Sequence, residues 1–339
     1  MSWEFTPAQQ TFAKNAQTWD AVNRAGHNHI LLDARFVAAA LRCFGGSDIL
    51  LGINEDEAEG GACLLVKSSI GTWQTFQPAQ APLGMLLLYG QPDAQESLLR
   101  ILLSLPGLAL QLGVLQQDPD FPVFHSPCES PQIELLDYIQ TPKLPLVGDF
   151  EQYWKSCSQN LRHNLARQRK RLAEKGSCLE LASHRTSESV PGALSEYGRL
   201  ESQGWKGREG TAIEVGNRQG DFYREVFDAF SATGEAVIYQ LLLDGKVVAS
   251  DLCLARNGML VVLKTAYDES IPQMSPALLM RQEILQHLFE EQTIRVVEFY
   301  GRVLDWHRKW TDQLRSMYHI NCFRTESVAR LRSMVKRLA

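Results

Sequence analysis

The sequence predicts an α+β fold in which mixed, mostly antiparallel sheets are flanked by helices, divided between two domains. Three observations predict it. First, the apolar runs Val237 to Leu243, Val247 to Ala255 and Met259 to Ala266 are joined by Asp244-Gly245 and Asn257-Gly258. Asp-Gly and Asn-Gly between apolar runs signal tight hairpins, because both turn positions need positive φ. Second, the first 140 residues alternate short apolar runs with helical periods, the pattern of a sheet covered by helices. Third, 339 residues exceed one average domain. The Pro/Gly-rich piece Thr141 to Gly148 is the natural boundary, giving domains over 1–148 and 149–339.

In chain order, a helix is expected from His29 to Phe44, with Asp33 as N-cap and Gly45-Gly46 as stop. Strands are expected at Asp48 to Ile53, Ala62 to Lys67, Gly84 to Tyr89, Gly107 to Leu115 and Gln132 to Ile139. A helix is expected at Gln95 to Leu103. The second domain opens with a long basic helix, Phe150 to Lys175, capped by Asp149 and stopped by Gly176. It carries Arg162, His163, Arg167, Arg169, Lys170, Arg171 and Lys175 opposite the stripe Leu161, Leu165, Gln168, Leu172. That face reads either as a solvated surface or as one that meets phosphate.

A strand at Cys178 to Ala182 and helices near Val190 to Gln203 and Asp221 to Thr233 lead into the meander. The loop Gly204-Trp205-Lys206-Gly207 between these helices is a candidate binding element, with Trp205 and Lys206 as substrate contacts; its plainer reading is a Trp that plugs the core. After the meander come Tyr267-Asp268-Glu269-Ser270 and then Ser275-Pro276-Ala277, which opens a helix of about fifteen residues. Arg295 to Gly301 closes with one more strand. The chain finishes in an amphipathic helix whose stripe, Val328, Leu331, Val335 and Leu338, is expected to dock on the sheet. Arg330, Arg332, Lys336 and Arg337 lie opposite.

The formal net charge of −5 speaks to solubility. Its distribution is lopsided: residues 1–150 carry sixteen Asp/Glu and seven Lys/Arg, against twenty-three and twenty-seven in the remainder. An anionic ligand therefore fits the second half better. Seven scattered cysteines without C-x-x-C spacing suggest neither zinc nor a disulfide framework. No metal site is expected. The first residues lack a signal-peptide pattern and no apolar run approaches the length of a membrane span, so a cytoplasmic setting is expected. There is no nucleophile elbow and no phosphate-binding G-x-x-x-x-G-K loop.

Strand, loop, helix start, strand is the order that cradles a phosphate. A helix start leaves backbone N–H groups unpaired and carries partial positive charge. In Ser275-Pro276-Ala277 the Ser suits an N-cap, the Pro the first helical position, and the small Ala a close backbone approach.

Beyond these local signals, the motifs jointly resemble the GNAT acyltransferase superfamily, in the CelD-like branch related to the Fem peptidoglycan aminoacyltransferases. The motifs are Arg162-His163-Asn164, Gly204-Trp205-Lys206-Gly207, Leu243-Asp244-Gly245, Ala266-Tyr267-Asp268-Glu269, Ser275-Pro276-Ala277-Leu278-Leu279 and Phe299-Tyr300-Gly301 with Trp306, Lys309 and Trp310. The resemblance implies two tandem GNAT-like domains, the first degenerate, with acyl-CoA, by default acetyl-CoA, bound in the second. The pyrophosphate would lie on the amides of Met274, Ser275, Pro276, Ala277 and Leu278, with Lys264 among the donor contacts and the pantetheine arm between the strands at 259–266 and 296–300. The family usually has Gly where Ala277 stands and Asp near Glu298.

Direct transfer to an amine needs a base for the ammonium, a donor that polarises the carbonyl, and an acid near the sulfur. Candidate bases are Glu298, Asp268 and Asp251; candidate acids are Tyr267 and Tyr300. Asp251 has a plainer reading as the ion-pair partner of Lys264. Trp306 and Lys309 are further substrate candidates. The implied acceptor is an amine-bearing small molecule or saccharide. Two rivals remain: an aminoacyl-tRNA-dependent transferase of Fem type, for which the basic helix speaks, and a non-catalytic scaffold of an exopolysaccharide pathway. Neither DNA nor a membrane span is implied.

Overall fold

The computed structural model describes residues 3–56, 59–90, 93–122, 130–203, 213 and 216–338. The elements run β1 (Glu4–Pro7), α1 (Ala8–Ala25), α2 (Ala34–Phe44), β2 (Leu50–Asn54), β3 (Gly61–Ser69), β4 (Thr72–Thr75), β5 (Leu86–Leu88), α3 (Ala94–Ser104), β6 (Gln111–Gln117) and β7 (Ile133–Pro145). There follow α4 (Phe150–Ser156), α5 (Gln159–Glu174), β8 (Leu179–His184), α6 (Val190–Gln203), α7 (Arg218–Ser231), β9 (Ala236–Leu243), β10 (Lys246–Arg256), β11 (Met259–Tyr267), α8 (Pro276–Glu291), β12 (Val296–Glu298), β13 (Leu314–Phe323) and α9 (Glu326–Leu338). The chain divides into two compact units, residues 1–140 with 316–339, and residues 141–315.

Each unit repeats one plan: a strand, two helices, a three-strand meander, a helix, and a strand parallel to the last of the meander. In the first unit the order is β1-β2-β3-β4-β6-β13, with β4 and β6 parallel and the other pairs antiparallel. In the second it is β8-β9-β10-β11-β12 and the end of β7, with β11 and β12 parallel. Both are mixed, mostly antiparallel sheets flanked by helices. A parallel pair needs a crossover, and α3 and α8 supply it.

The hairpin turns form as the sequence predicts, with Asp244, Gly245, Asn257 and Gly258 all at positive φ. Asp33 caps α2 through the Arg35 amide. Elsewhere the structure differs. Helix α1 escapes the pattern reading because its buried apolar residues are few and widely spaced: Ala8, Phe12, Trp19 and Val22. The single helix expected over 150–175 is broken at Cys157, whose backbone is extended. Ser158 then caps α5 through the Leu161 amide, the local bond by which Ser competes with helix continuation.

The domain boundary also differs. Thr141 to Pro145 continues β7, with Pro142 inside the strand and Pro145 at its end, and residues 316–339 belong to the first unit because β13 pairs with β6 from Phe323↔Gln111 to Tyr318↔Gln117. Such pairing between distant residues leaves no local sequence signal. Ile320, on β13, is buried in the first unit's core with Val114 and Leu112. Ile320→Ala should therefore destabilise that unit by about 2–5 kcal/mol in urea denaturation. Amide exchange in β6 should rise with it. Unchanged β6 protection would mean that β13 is not an integral strand.

Candidate functional site

In the second unit β11 and β12 pair at Met259↔Val296, Leu260↔Val297 and Val261↔Glu298, and there the pairing stops. Beyond that point β11 carries a bulge: Lys264 faces Leu252 and Val262 faces Cys253, so Leu263 is the extra residue. A bulge leaves its extra residue outside the ladder and shifts which face the following side chains take. Before it, Leu260 and Val262 point into the core beneath α8. After it, Lys264 points to the opposite face and Thr265 returns to the α8 side.

The α8 face holds a buried ion pair. Arg281 of α8 lies 2.6 Å from Asp251 of β10, the side chains 3% and 0% exposed, and the Thr265 hydroxyl donates to Asp251 at 2.6 Å. Burial pushes the Asp251 carboxyl up, while Arg281 and Thr265 pull it back. The Arg281 guanidinium stacks over Phe299 at 5.3 Å. Beside it His307, buried, stacks on Trp306 and meets Phe299 edge-on. The Leu304 amide donates to His307 Nδ1 at 3.0 Å, which puts the ring proton on Nε2. Burial first and Arg281 second lower the His307 pKa to about 4.

On the opposite face Lys264 lies 2.9 Å from Glu201 of α6 and donates to Gln219 of α7 at 2.9 Å. Glu201 also accepts from the Ile213 amide and the Tyr197 hydroxyl. Burial, with Glu201 adding to it, keeps the Tyr197 and Tyr223 hydroxyls protonated by raising both pKa values. Glu298 lies between Val297 and Phe299, which face the α8-side core, so it too points to this face. Arg315 meets it at 2.8 Å, both nearly fully buried, and stacks over Tyr300 at 5.2 Å. Tyr300, buried, has φ 52°, a conformation a bulky residue adopts only when its surroundings impose it.

The sequence-predicted residues thus fall into separate groups. Glu298 and Tyr300 come together at the mouth of the splay. Asp251 lies on the other side of the sheet, and its partner is Arg281, not Lys264. Lys264 is held by Glu201 and Gln219, away from the helix start. Asp268 accepts from the Ser270 amide and hydroxyl and from Lys246, bonds that lower its pKa and make it a turn cap. Tyr267 is exposed at the end of β11; Lys309 is exposed and Trp306 half-buried. Trp205 and Lys206 lie outside the described residues.

The start of α8 also differs in detail from the expected cradle. Ser275 sits at the N-cap position in the left-handed conformation, and its hydroxyl makes no capping bond. The Met274, Ser275 and Leu278 amides donate to the carbonyls of Ile271, Pro272 and Ser275, and Pro276 has no N–H. What remains for an anion is the Ala277 amide, the Ser275 hydroxyl and the helix dipole, with no acid in the first turn. These fit a phosphate.

The corresponding place in the first unit does not. Its helix α3 begins at Asp93, whose carboxylate accepts from the Glu96 amide, and Glu96 adds a second negative charge to the first turn. Where β4 and β6 would part, the Leu115 amide is taken by the Thr75 hydroxyl and Gly84 donates to the Gln116 carbonyl. A Cβ on Gly84 would lie 2.2 Å from the Leu115 carbonyl oxygen, so the intervening segment fills that cleft to backbone contact.

Sequence reasoning missed Arg281, Arg315, Glu201 and His307. Arg281 was the most accessible of these: it stands on the apolar stripe of α8 with Ile284, Leu285 and Leu288, where a charge demands a partner.

Residues 159–308 match the family model described as an acetyltransferase (GNAT) domain. The second unit carries that domain. With it the protein is an acyltransferase enzyme. No curated protein matches the chain. Among solved structures, the C-terminal domain of a putative lysylphosphatidylglycerol synthetase from Agrobacterium fabrum is similar at 14% identity, over 95% of this chain and 96% of that one, with a TM-score of 0.57. A conserved protein of unknown function from Bacteroides thetaiotaomicron aligns at 10% identity over 94% and 99%, TM-score 0.58. FemX aligns at 12% over 93% and 98%, TM-score 0.56. At these identities the likeness is one of fold, and it extends over both units.

The His307 environment predicts a pH dependence. The folded pKa lies below the unfolded value, so the neutral ring stabilises the fold fully above about pH 6.5, and the contribution is lost as pH falls towards 4. The loss amounts to about 3 kcal/mol. His307→Asn, which keeps an acceptor for the Leu304 amide, should flatten this part of the stability–pH curve. An unchanged slope in that variant would exclude His307 as its source.

Proposed function

We propose that the protein transfers an acyl group, by default acetyl, from acyl-CoA to the amine of a small molecule or saccharide, with the donor bound in the second unit. The observation that carries this reading is the start of α8 beside the splayed β11–β12 pair: an acid-free helix terminus with an open amide, next to a bulge. Acyl-CoA would supply a thioester activated for attack. The Ala277 amide and the Ser275 hydroxyl would hold its pyrophosphate. The Leu263 bulge, outside the ladder, would offer an N–H to the acyl carbonyl. Glu298 would take the ammonium proton, directly or through water, and Tyr300 or Tyr267 would return a proton to the departing thiolate. The first unit, with an acid-capped helix and a filled cleft, would bind no donor. On the motifs quoted above we place the chain in the CelD-like branch, and a cytoplasmic setting suits an acyl-CoA donor.

A second reading has its own support. On α5 the side chains of His163, Arg167, Lys170 and Arg171 are exposed, a cationic face that would suit an aminoacyl-tRNA donor. Arg169 is otherwise engaged, bound to Gln282 and Glu283 of α8.

Isothermal titration with acetyl-CoA and with a longer acyl-CoA should give micromolar binding at one site per chain. Ala277→Asp, which sets a carboxylate against the pyrophosphate, should abolish it in a folded protein. Unchanged affinity in that variant would sink the helix-start assignment. If no acyl-CoA binds, a native gel with tRNA at low salt, where phosphate contacts are strongest, decides for or against the second reading.

A further inference from the structure

Within the described side chains of helix α9, Val328 of the expected apolar stripe is half-buried and Leu331 is not laid on the first unit. Ala329 is buried, and Leu331, a little over half a helical turn around from it, is 63% exposed. Met334, on the same arc as Val328 and Leu331, is 60% exposed. This arc is bordered by Arg330 on one side and Arg332 on the other, both exposed. Along its length the helix carries Glu326 against Arg330, Arg332, Lys336 and Arg337. Glu326 pairs with Arg330 at the surface, leaving the helix with a cationic excess.

The helix start adjoins two further exposed apolar residues. The Arg324 amide, just before α9, donates to the Leu110 carbonyl, and the Leu110 amide donates to the Gly71 carbonyl in the β3–β4 turn. Next to these contacts stand Ile70, 92% exposed, and Leu108, 66% exposed. Lys67 is exposed on the same hairpin.

We propose that α9, with the Ile70 and Leu108 tips beside its start, is a peripheral docking element for an anionic phospholipid surface. An apolar arc bordered by arginines is what an interfacial helix presents: the apolar side chains enter the acyl boundary while the long cationic ones reach the headgroups. Charge complementarity selects the anionic surface, since each Lys or Arg near it adds to binding. No described helix is long and apolar enough to cross a membrane, so α9 lies on the surface.

The test is sedimentation of the full chain with phosphatidylcholine vesicles, with and without phosphatidylglycerol. The chain should pellet with the anionic vesicles, weakly with the neutral ones, and less as salt rises. The double variant Leu331→Glu, Met334→Glu changes two exposed side chains, so its melting temperature should match the parent's. Its affinity for anionic vesicles should fall about ten-fold or more. Absence of pelleting, equal pelleting with neutral vesicles, or undiminished binding by the double variant overturns the proposal. So does a self-associated species in light scattering that the double variant dissolves, because the arc would then be covered by a second copy of the chain.

Discussion

The second unit depends on the ion pair between Asp251 and Arg281. Two charges removed from water are costly unless they meet each other with good geometry and their remaining hydrogen-bonding capacity is filled. Arg281 and Asp251 meet at 2.6 Å, and the pair links α8 to β10. Thr265, bonded to the same carboxylate, ties β11 into the arrangement beyond its bulge. Helix, central strand and departing strand therefore converge on one carboxylate. The first turn of α8, two turns of sequence before the pair's neighbours Ile284 and Leu285, inherits its position from it. Asp251 thus lies on the α8 face of the sheet, held by Arg281 and Thr265, while Glu298 lies on the opposite face, held by Arg315.

Around this anchor the remaining features of the site follow from strand geometry. A parallel pair can form only if a crossover returns the chain to the same edge, so α8 must lie between β11 and β12 in sequence. The pair ends after Val261↔Glu298. On one side of the opening the Leu263 bulge takes the backbone out of register. On the other, Tyr300 turns the chain aside in the left-handed region, held by Arg315 over its ring. Strain of this kind, of order 1–3 kcal/mol, persists where neighbours over-determine it. Here those neighbours include Arg315 and through it Glu298, so the carboxylate at the mouth of the splay and the strained tyrosine are set by one guanidinium.

How much of this the sequence disclosed depends on whether the signal is local. Asp244-Gly245 and Asn257-Gly258 carry their conformation in their own residue types, and the meander was legible from them. So were the Asp33 and Asp149 caps and the position of the α8 start. The break at Cys157 was less so, because Ser158 decides it by a single side-chain bond against an otherwise unbroken helical period. The ion pairs were half legible: Asp251 among apolar strand residues and Arg281 on an apolar stripe each ask for a partner, but nothing local says that they find each other and not Lys264. The amides at 274–278 show the converse. Their sequence suits a cradle, yet the short turn at Pro272–Met274 consumes most of them internally, which no composition rule foretells. β13 lay beyond reach, since its partner β6 is some two hundred residues away in the chain.

The two units also show how small a chemical difference separates a helix start open to an anion from one closed to it. Both place a helix after the last meander strand and a parallel strand after the helix. The partial positive charge of a helix start is about half an elementary charge. A carboxylate at the cap and another in the first turn more than cancel it, and they hold the first-turn amide that an incoming phosphate would need. Asp93 and Glu96 do this to α3, while Ser275 and Ala277 leave α8 uncompensated. The cleft follows the same division: Gly84 lets the first unit's own backbone lie against Leu115 where the second unit's strands part. Capping α3 with acid stabilises that helix at the expense of any anion site, and filling its cleft adds buried surface to the first unit. The second unit gives up both gains at α8, and its helix start stays electrostatically uncompensated beside a pair of strands that parts after three residue pairs.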